Sequence, residues 1–173
     1  MLLKLLLGLG VLGFGSNVFA APYVVSKNSA EVTDNETGLT WKRCAEGASW
    51  TGARCSGAPM RFTFEKAQAR ARAEAIASGL DWRVPSEAEL MGITKAGFSP
   101  AIDSVAFPDT PPNKFWTCSP FGLHVGCGIE PTPGPYARAK FVLFANGAAD
   151  AGYRLESNYV RLVRGANAAS ASH

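Results

Sequence analysis

The stretch Asp81-Trp82-Arg83-Val84-Pro85-Ser86-Glu87-Ala88-Glu89-Leu90 decides how the chain is read. Ser86 and Glu89 stand three apart, the spacing of a capping box. The serine oxygen can accept the Glu89 backbone N–H, and the Glu89 carboxylate can reach back to the Ser86 N–H. Pro85 fixes the approach of the chain and keeps Val84 out of helical geometry. A sharp helix entry behind an aromatic residue is the expectation, and the apolar positions Leu90 and Ile93 carry that helix to about Lys95.

Upstream, Thr63 is placed to cap a first helix over residues 63–78, with Phe64, Ala67, Ala71 and Ala75 on one face. Lys66, Arg70, Arg72 and Glu74 are expected to look outward. Gly79 fits the left-handed C-terminal position, followed by Leu80. Further upstream, residues 31–34 and 39–43 read as a hairpin around Asp34-Asn35-Glu36-Thr37-Gly38. The three polar residues of that turn read as turn chemistry, because a calcium loop needs more oxygen ligands at set spacing.

Downstream, residues 98–136 are proline-rich and irregular around a short strand at 114–118. A connection this long reads as functional. A strand at 137–144 then meets Asn146-Gly147, a type I′ hairpin signal. In the last strand, Tyr159, Arg161 and Val163 face one way and Val160, Leu162 and Arg164 the other. Arg83 and Arg161 read as structural hydrogen-bonders, since a guanidinium can satisfy several carbonyls.

The two ends of the chain read differently. Residues 1–20 resemble a secretory leader: Lys4, an apolar run over 5–14, and the small-x-small site Val18-Phe19-Ala20. The run is too short to span a membrane, which needs about 20 residues. Residues 21–30 form a lead-in, 31–164 one domain, and 165–173 a small, polar, disordered tail. The expected location is therefore exported: periplasm, cell surface or secreted. Net charge is +3 and falls by one with Lys4, too little for nucleic-acid binding.

Four cysteines in an exported chain predict two disulfides. Three pairings are possible; the local ones, Cys44–Cys55 and Cys118–Cys127, are favoured because each closes a short loop. Zinc is disfavoured: there is no C-x-x-C pair, and only His124 lies near. No metal or other cofactor is expected. Ser-His-Asp, H-E-x-x-H and phosphate-loop patterns are all missing, so the chain reads as non-catalytic.

Hairpin, helix, helix, long loop region, hairpin and final strand make an α+β domain. That order matches the C-type-lectin-like topology, in which two helices pack on a small, mostly antiparallel sheet and a long irregular loop region carries function. The motifs also run in the order of a family. Val32-Thr33-Asp34-Asn35-Glu36-Thr37-Gly38-Leu39-Thr40-Trp41, Arg43-Cys44 and Cys55 come first. The 81–90 stretch, Phe107-Pro108, Phe115-Trp116-Thr117-Cys118-Ser119-Pro120 and Val160-Arg161-Leu162-Val163-Arg164 follow. Together they resemble the Lcl C-terminal domain family.

The resemblance implies an exported bacterial domain whose namesake is a surface adhesin for sulfated polysaccharides. It implies a partner that is a glycan or, alternatively, a protein of an envelope assembly. The chain departs from the namesake in having no Gly-x-y repeats. It also lacks the Glu-Pro-Asn, Gln-Pro-Asp and Trp-Asn-Asp triplets of calcium-dependent sugar-binding lectins. Resemblance to the formylglycine-generating fold implies a remoter alternative, copper oxidase chemistry at Cys118 and Cys127, although their spacing is not that family's.

Within this frame, Trp41, Trp82 and Trp116 are expected in the core. Trp50, in a glycine-rich loop between Cys44 and Cys55, is the tryptophan expected to meet ligand. Lys114, Arg138 and Lys140, with Tyr136 beside them, are the candidate cationic face for an anionic or sulfated glycan.

Overall fold

A computed structural model describes residues 22–122, 126–127, 134 and 136–165. The leader, the tail after residue 165, His124 and the prolines at 131, 133 and 135 lie outside the described residues.

The fold is α+β. Strand β1 (Tyr23–Val25) pairs with β2 (Glu31–Asp34), β2 with β3 (Thr40–Lys42), and β3 with β9 (Val163–Arg164), all antiparallel. The first and last strands of the described chain thus share one sheet, and the expected lead-in contributes its edge. β4 (Ser49–Trp50) and β5 (Cys55–Ser56) make a small ribbon. The third sheet has order β6-β7-β8, from Lys114–Trp116, Arg138–Leu143 and Ala148–Tyr153.

Both helices begin where the local chemistry places them. In α1 (Phe64–Ser78), the Thr63 side chain accepts from the Lys66 N–H, and left-handed Gly79 donates to the Ala75 carbonyl. Such an N-cap is worth about 1 kcal/mol. In α2 (Glu87–Gly92), both halves of the Ser86–Glu89 capping box form. Arg83 makes a bidentate pair with Glu89, at 2.8 Å to each oxygen. Burial opposes charge on Glu89, yet these hydrogen bonds hold its carboxyl below the ordinary value. Helix α2 ends three residues earlier than expected. Ile93 turns into the core, and Thr94 closes the end by bonding the Met91 carbonyl.

The central strand β7 separates two cores. Phe115 and Val142 face Trp41, Leu90, Phe107 and Val163. Trp116, Ala139 and Phe141 face α1 through Phe64, Ala67 and Ala71. The small Ala67 and Ala71 let the helix approach closely, and Phe64 meets Trp116 edge-to-face at 5.7 Å. Trp41, Trp82 and Trp116 are all buried, as expected.

Three further expectations need correction. Part of the long loop region is core rather than binding surface, because Ala101, Ile102, Ala106 and Phe107 are buried. Asn146-Gly147 does not form a two-residue type I′ turn. Leu143 pairs with Ala148, which leaves four loop residues with positive φ at Gly147 alone among them.

The last strand keeps its alternation but is mostly not a strand. Its backbone bonds separate segments: Tyr159 to Lys114, Val160 to Glu46, Leu162 to Lys42 and Val163 to Arg83. The segment threads between the cores, so residues 160–163 are buried on both faces. Arg161 is fully enclosed. It donates to the Lys42 and Arg43 carbonyls and to Thr110 Oγ1, and its guanidinium lies 4.9 Å from the Phe107 ring. Burial pulls its pKa down to about 9, still far enough above neutrality to keep the charge.

Both expected disulfides are present. Cys44–Cys55 spans 5.6 Å between Cα atoms and Cys118–Cys127 spans 4.9 Å. Among the described residues, no helix is long and apolar enough to cross a membrane.

Candidate functional site

An open cleft of about 690 Å³ lies between the end of β3, the β4–β5 ribbon and α1. Trp50 forms one wall. Lys42, Glu46, Arg70 and Glu74 form the polar bed, with Glu31 at the rim.

Each element has a local reason to be there. The Cys44–Cys55 bridge closes the loop that carries Trp50, and Trp50 pairs with Cys55 across the ribbon. The Cys55 N–H donates to Asp109 Oδ2 at 3.0 Å, tying the ribbon to the 103–113 segment. The Arg43 guanidinium lies 3.9 Å from the Trp50 ring centroid, a close cation–π stack. Arg43 itself is not among the cleft's lining residues.

Glu46 is clamped by its own backbone: its N–H bonds Val160, and its carbonyl accepts from Met60. Gly47 follows with φ +95°, and a Cβ there would fall 2.6 Å from the Met60 backbone nitrogen. Only glycine fits that close approach.

The four charged side chains of the bed form a closed ring. Lys42 Nζ lies 3.1 Å from Glu46 Oε1 and 2.7 Å from Glu74 Oε1. Arg70 Nε lies 2.6 Å from Glu46 Oε2, and its Nη2 lies 2.8 Å from Glu74 Oε2. The Glu46 side chain is only 3% exposed. Hydrogen bonding from Lys42 holds the Glu74 carboxyl below its ordinary range, against a smaller opposing effect of burial. On Arg70, burial works against the charge, but Glu46 and Glu74 outweigh it and raise the pKa.

The structure does not unite the cations expected to form one face. Lys114 pairs with Leu143, so it shares a face of the sheet with Phe141; its Nζ stands 4.6 Å from that ring and 3.3 Å from Glu156. Lys140 and Arg138 occupy the opposite face of β7, because side chains alternate along a strand. Lys140 pairs with Glu87 at 2.6 Å. Arg138 donates to the Ala151 carbonyl and stacks on Phe121. Tyr136 is 81% exposed and precedes β7. Strand register, which the sequence pattern did not settle, is the reason the cluster fails.

Of the ligand-binding candidates read from the sequence, Trp50 is the one that lines the cleft. Lys42, Glu46, Arg70 and Glu74 were missed as site residues. The Arg70–Glu74 spacing was readable as a helical i,i+4 pair. Nothing local marked Glu46, whose burial comes from distant contacts. A second recess of about 200 Å³ lies between α1 and the Cys118–Cys127 bridge, lined by Gln68, Ala71, Trp82 and Val84. Among the described residues, no group of three His, Cys, Asp or Glu side chains is placed to hold a metal ion.

No curated protein matches the chain, and no solved structure does. The Lcl C-terminal domain family matches residues 30–164, which takes in both disulfides, both helices and every residue of the cleft bed. The chain belongs to the Lcl C-terminal domain family.

Proposed function

We propose that this chain is an exported, non-catalytic binding domain that recognises an extracytoplasmic glycan in the cleft beside Trp50. The observation that carries the reading is a tryptophan lining the same cleft as a ring of ion-paired, hydrogen-bonding side chains. A sugar ring offers the complementary surfaces: an apolar face for the indole and hydroxyls for the bed. The bed is held by its own ion pairs, so little order is lost on binding.

Export fits the leader-like N-terminus and the two disulfides, which persist in oxidising compartments. The arrangement of helices and small antiparallel sheets is compatible with a C-type-lectin-like domain. A general acid needs a raised carboxyl pKa, whereas that of Glu74 is lowered, which suits a hydrogen-bonding role better than an acid's. Among the described residues no cysteine is free, which leaves copper chemistry without thiolate ligands.

A glycan array probed with the wild type and with Trp50→Ala tests the proposal. Wild-type binding that falls about tenfold or more in the variant, roughly 1.4 kcal/mol, supports it. Absence of any bound glycan, or equal binding by both proteins, rejects it.

A second reading, a protein-interaction subunit of an envelope assembly, draws on the β8 edge of the third sheet. There Tyr153 and Leu155 are exposed, with Tyr136 exposed at the start of neighbouring β7. Recovery of one partner from envelope extract, insensitive to glycosidase and lost in a Tyr136→Ser/Tyr153→Ser variant, would favour it.

A further inference from the structure

We infer that the ligand of the Trp50 cleft is an uncharged, hydroxyl-bearing ring, and not a sulfated or carboxylated one; this rests on the glycan-binding reading above. Three observations lead there.

First, the cleft has no unmatched positive charge. Three carboxylates line it, from Glu31, Glu46 and Glu74, against Lys42 and Arg70. Both cations are held by both bed carboxylates, and Glu31 is held at the rim by Arg164 at 2.9 Å. An anion accepting from Arg70 would add negative charge to a ring whose two cations are already matched by two carboxylates, and drawing either cation off Glu46, 3% exposed, would strip a counter-charge from a buried carboxylate.

Second, the hydrogen-bonding capacity that remains is mixed. Each carboxylate oxygen of the ring holds one cation and keeps a further acceptor site. Arg70 uses Nε and Nη2, while its Nη1 has no protein partner among the described residues. Its side chain is 39% exposed, so the donor is within reach of solvent and ligand. A hydroxyl both donates and accepts. Two neighbouring hydroxyls can donate to a Glu74 oxygen and accept from Arg70 Nη1 without opening any ion pair. A sulfate or carboxylate group only accepts and cannot serve the carboxylate side.

Third, the apolar part of the cleft lies beside this bed. Trp50, Met60 and Phe62 line it together with Gly47 and Ala48. That suits a ring with one apolar face and polar edges.

The test uses one polysaccharide backbone in matched neutral, sulfated, carboxymethylated and amino-bearing forms. Binding is measured by biolayer interferometry at low and at high salt, with the wild type, Trp50→Ala and Arg70→Lys. The lysine keeps the charge but removes Nη1. Circular dichroism confirms that each variant folds. The neutral form is expected to bind best, with less than about a twofold change between the two salt conditions, because no net charge pairing is formed. Sulfation is expected to weaken binding, as are both substitutions. Tighter binding of the sulfated, carboxymethylated or amino form, still lost in Trp50→Ala, overturns the uncharged ligand and leaves the cleft standing. Failure of every form to bind, or indifference to Trp50→Ala, overturns the cleft reading and this inference with it.

Discussion

Replacing Cys44 and Cys55 together by serine separates stability from function at this site. The bridge closes a loop of sequence separation 11. In the chain-entropy model, losing such a crosslink costs about 3 kcal/mol. For a domain of this size that lowers Tm by roughly 6–12 °C. The Cys118–Cys127 bridge, with sequence separation 9, is worth about the same by the same argument. The two differ in what they hold. Cys44 lines the cleft, and the first bridge closes the Trp50 loop. The second bridge does not line that cleft; Cys118 and Cys127 line the smaller recess beside α1.

Without the first bridge, Trp50 keeps the Arg43 stack, the short ribbon, the hydrogen bond from the residue 55 N–H to Asp109 and the Thr51–Arg54 turn bonds, with no covalent tie. Calorimetry and glycan binding, run on both double-serine variants below their Tm, should therefore diverge. Both lose similar stability, but only Cys44→Ser/Cys55→Ser loses about tenfold or more in affinity, ~1.4 kcal/mol. Full binding by that variant, or equal loss by both, would refute the reasoning that the bridge positions the site.

Arg161→Met removes the donors that hold the Lys42 and Arg43 carbonyls. Leaving two buried acceptors unpaired costs about 2–4 kcal/mol after part is recovered from no longer burying a charge. Urea unfolding measures it, and an unchanged midpoint would show that the guanidinium holds nothing. Stability should also fall in acid. Glu74, Glu89 and Asp103 all have folded-state pKa values below the ordinary 4.5 or 3.8. The unfolded chain therefore takes up protons first as pH drops. The stability these groups contribute is complete above about pH 5 and is lost as pH falls through their folded-state values. A urea midpoint equal at neutral pH and near pH 3 would contradict this.

What was legible in the sequence was local. Thr63, Ser86 and Glu89 cap helices through hydrogen bonds within four residues, and both helices start where those residues put them. The short cysteine loops likewise announced their bridges. What was not legible depended on distant partners. Asn146-Gly147 carries a strong turn signal, but the register of β7 against β8 set a four-residue loop. Lys114 and Lys140 looked like neighbours until pairing placed them on opposite faces. Tyr159 to Arg164 alternates like a surface strand, yet both of its faces meet cores. Glu46 sits in an ordinary-looking loop and becomes the hub of the bed only when β3 and α1 converge on it.

The most direct measurement follows the tryptophan indole N–H signals by nitrogen-15 NMR while a neutral oligosaccharide is added. The chain has 4 tryptophans, so the spectrum is simple, and a Trp50→Phe variant assigns the signal that matters. Trp41 and Trp116 are fully buried in the two cores and serve as internal controls. The Trp50 signal should move in a saturable way while those of Trp41 and Trp116 stay fixed. Saturable binding that leaves the Trp50 signal in place would contradict the assignment of the cleft as the ligand site.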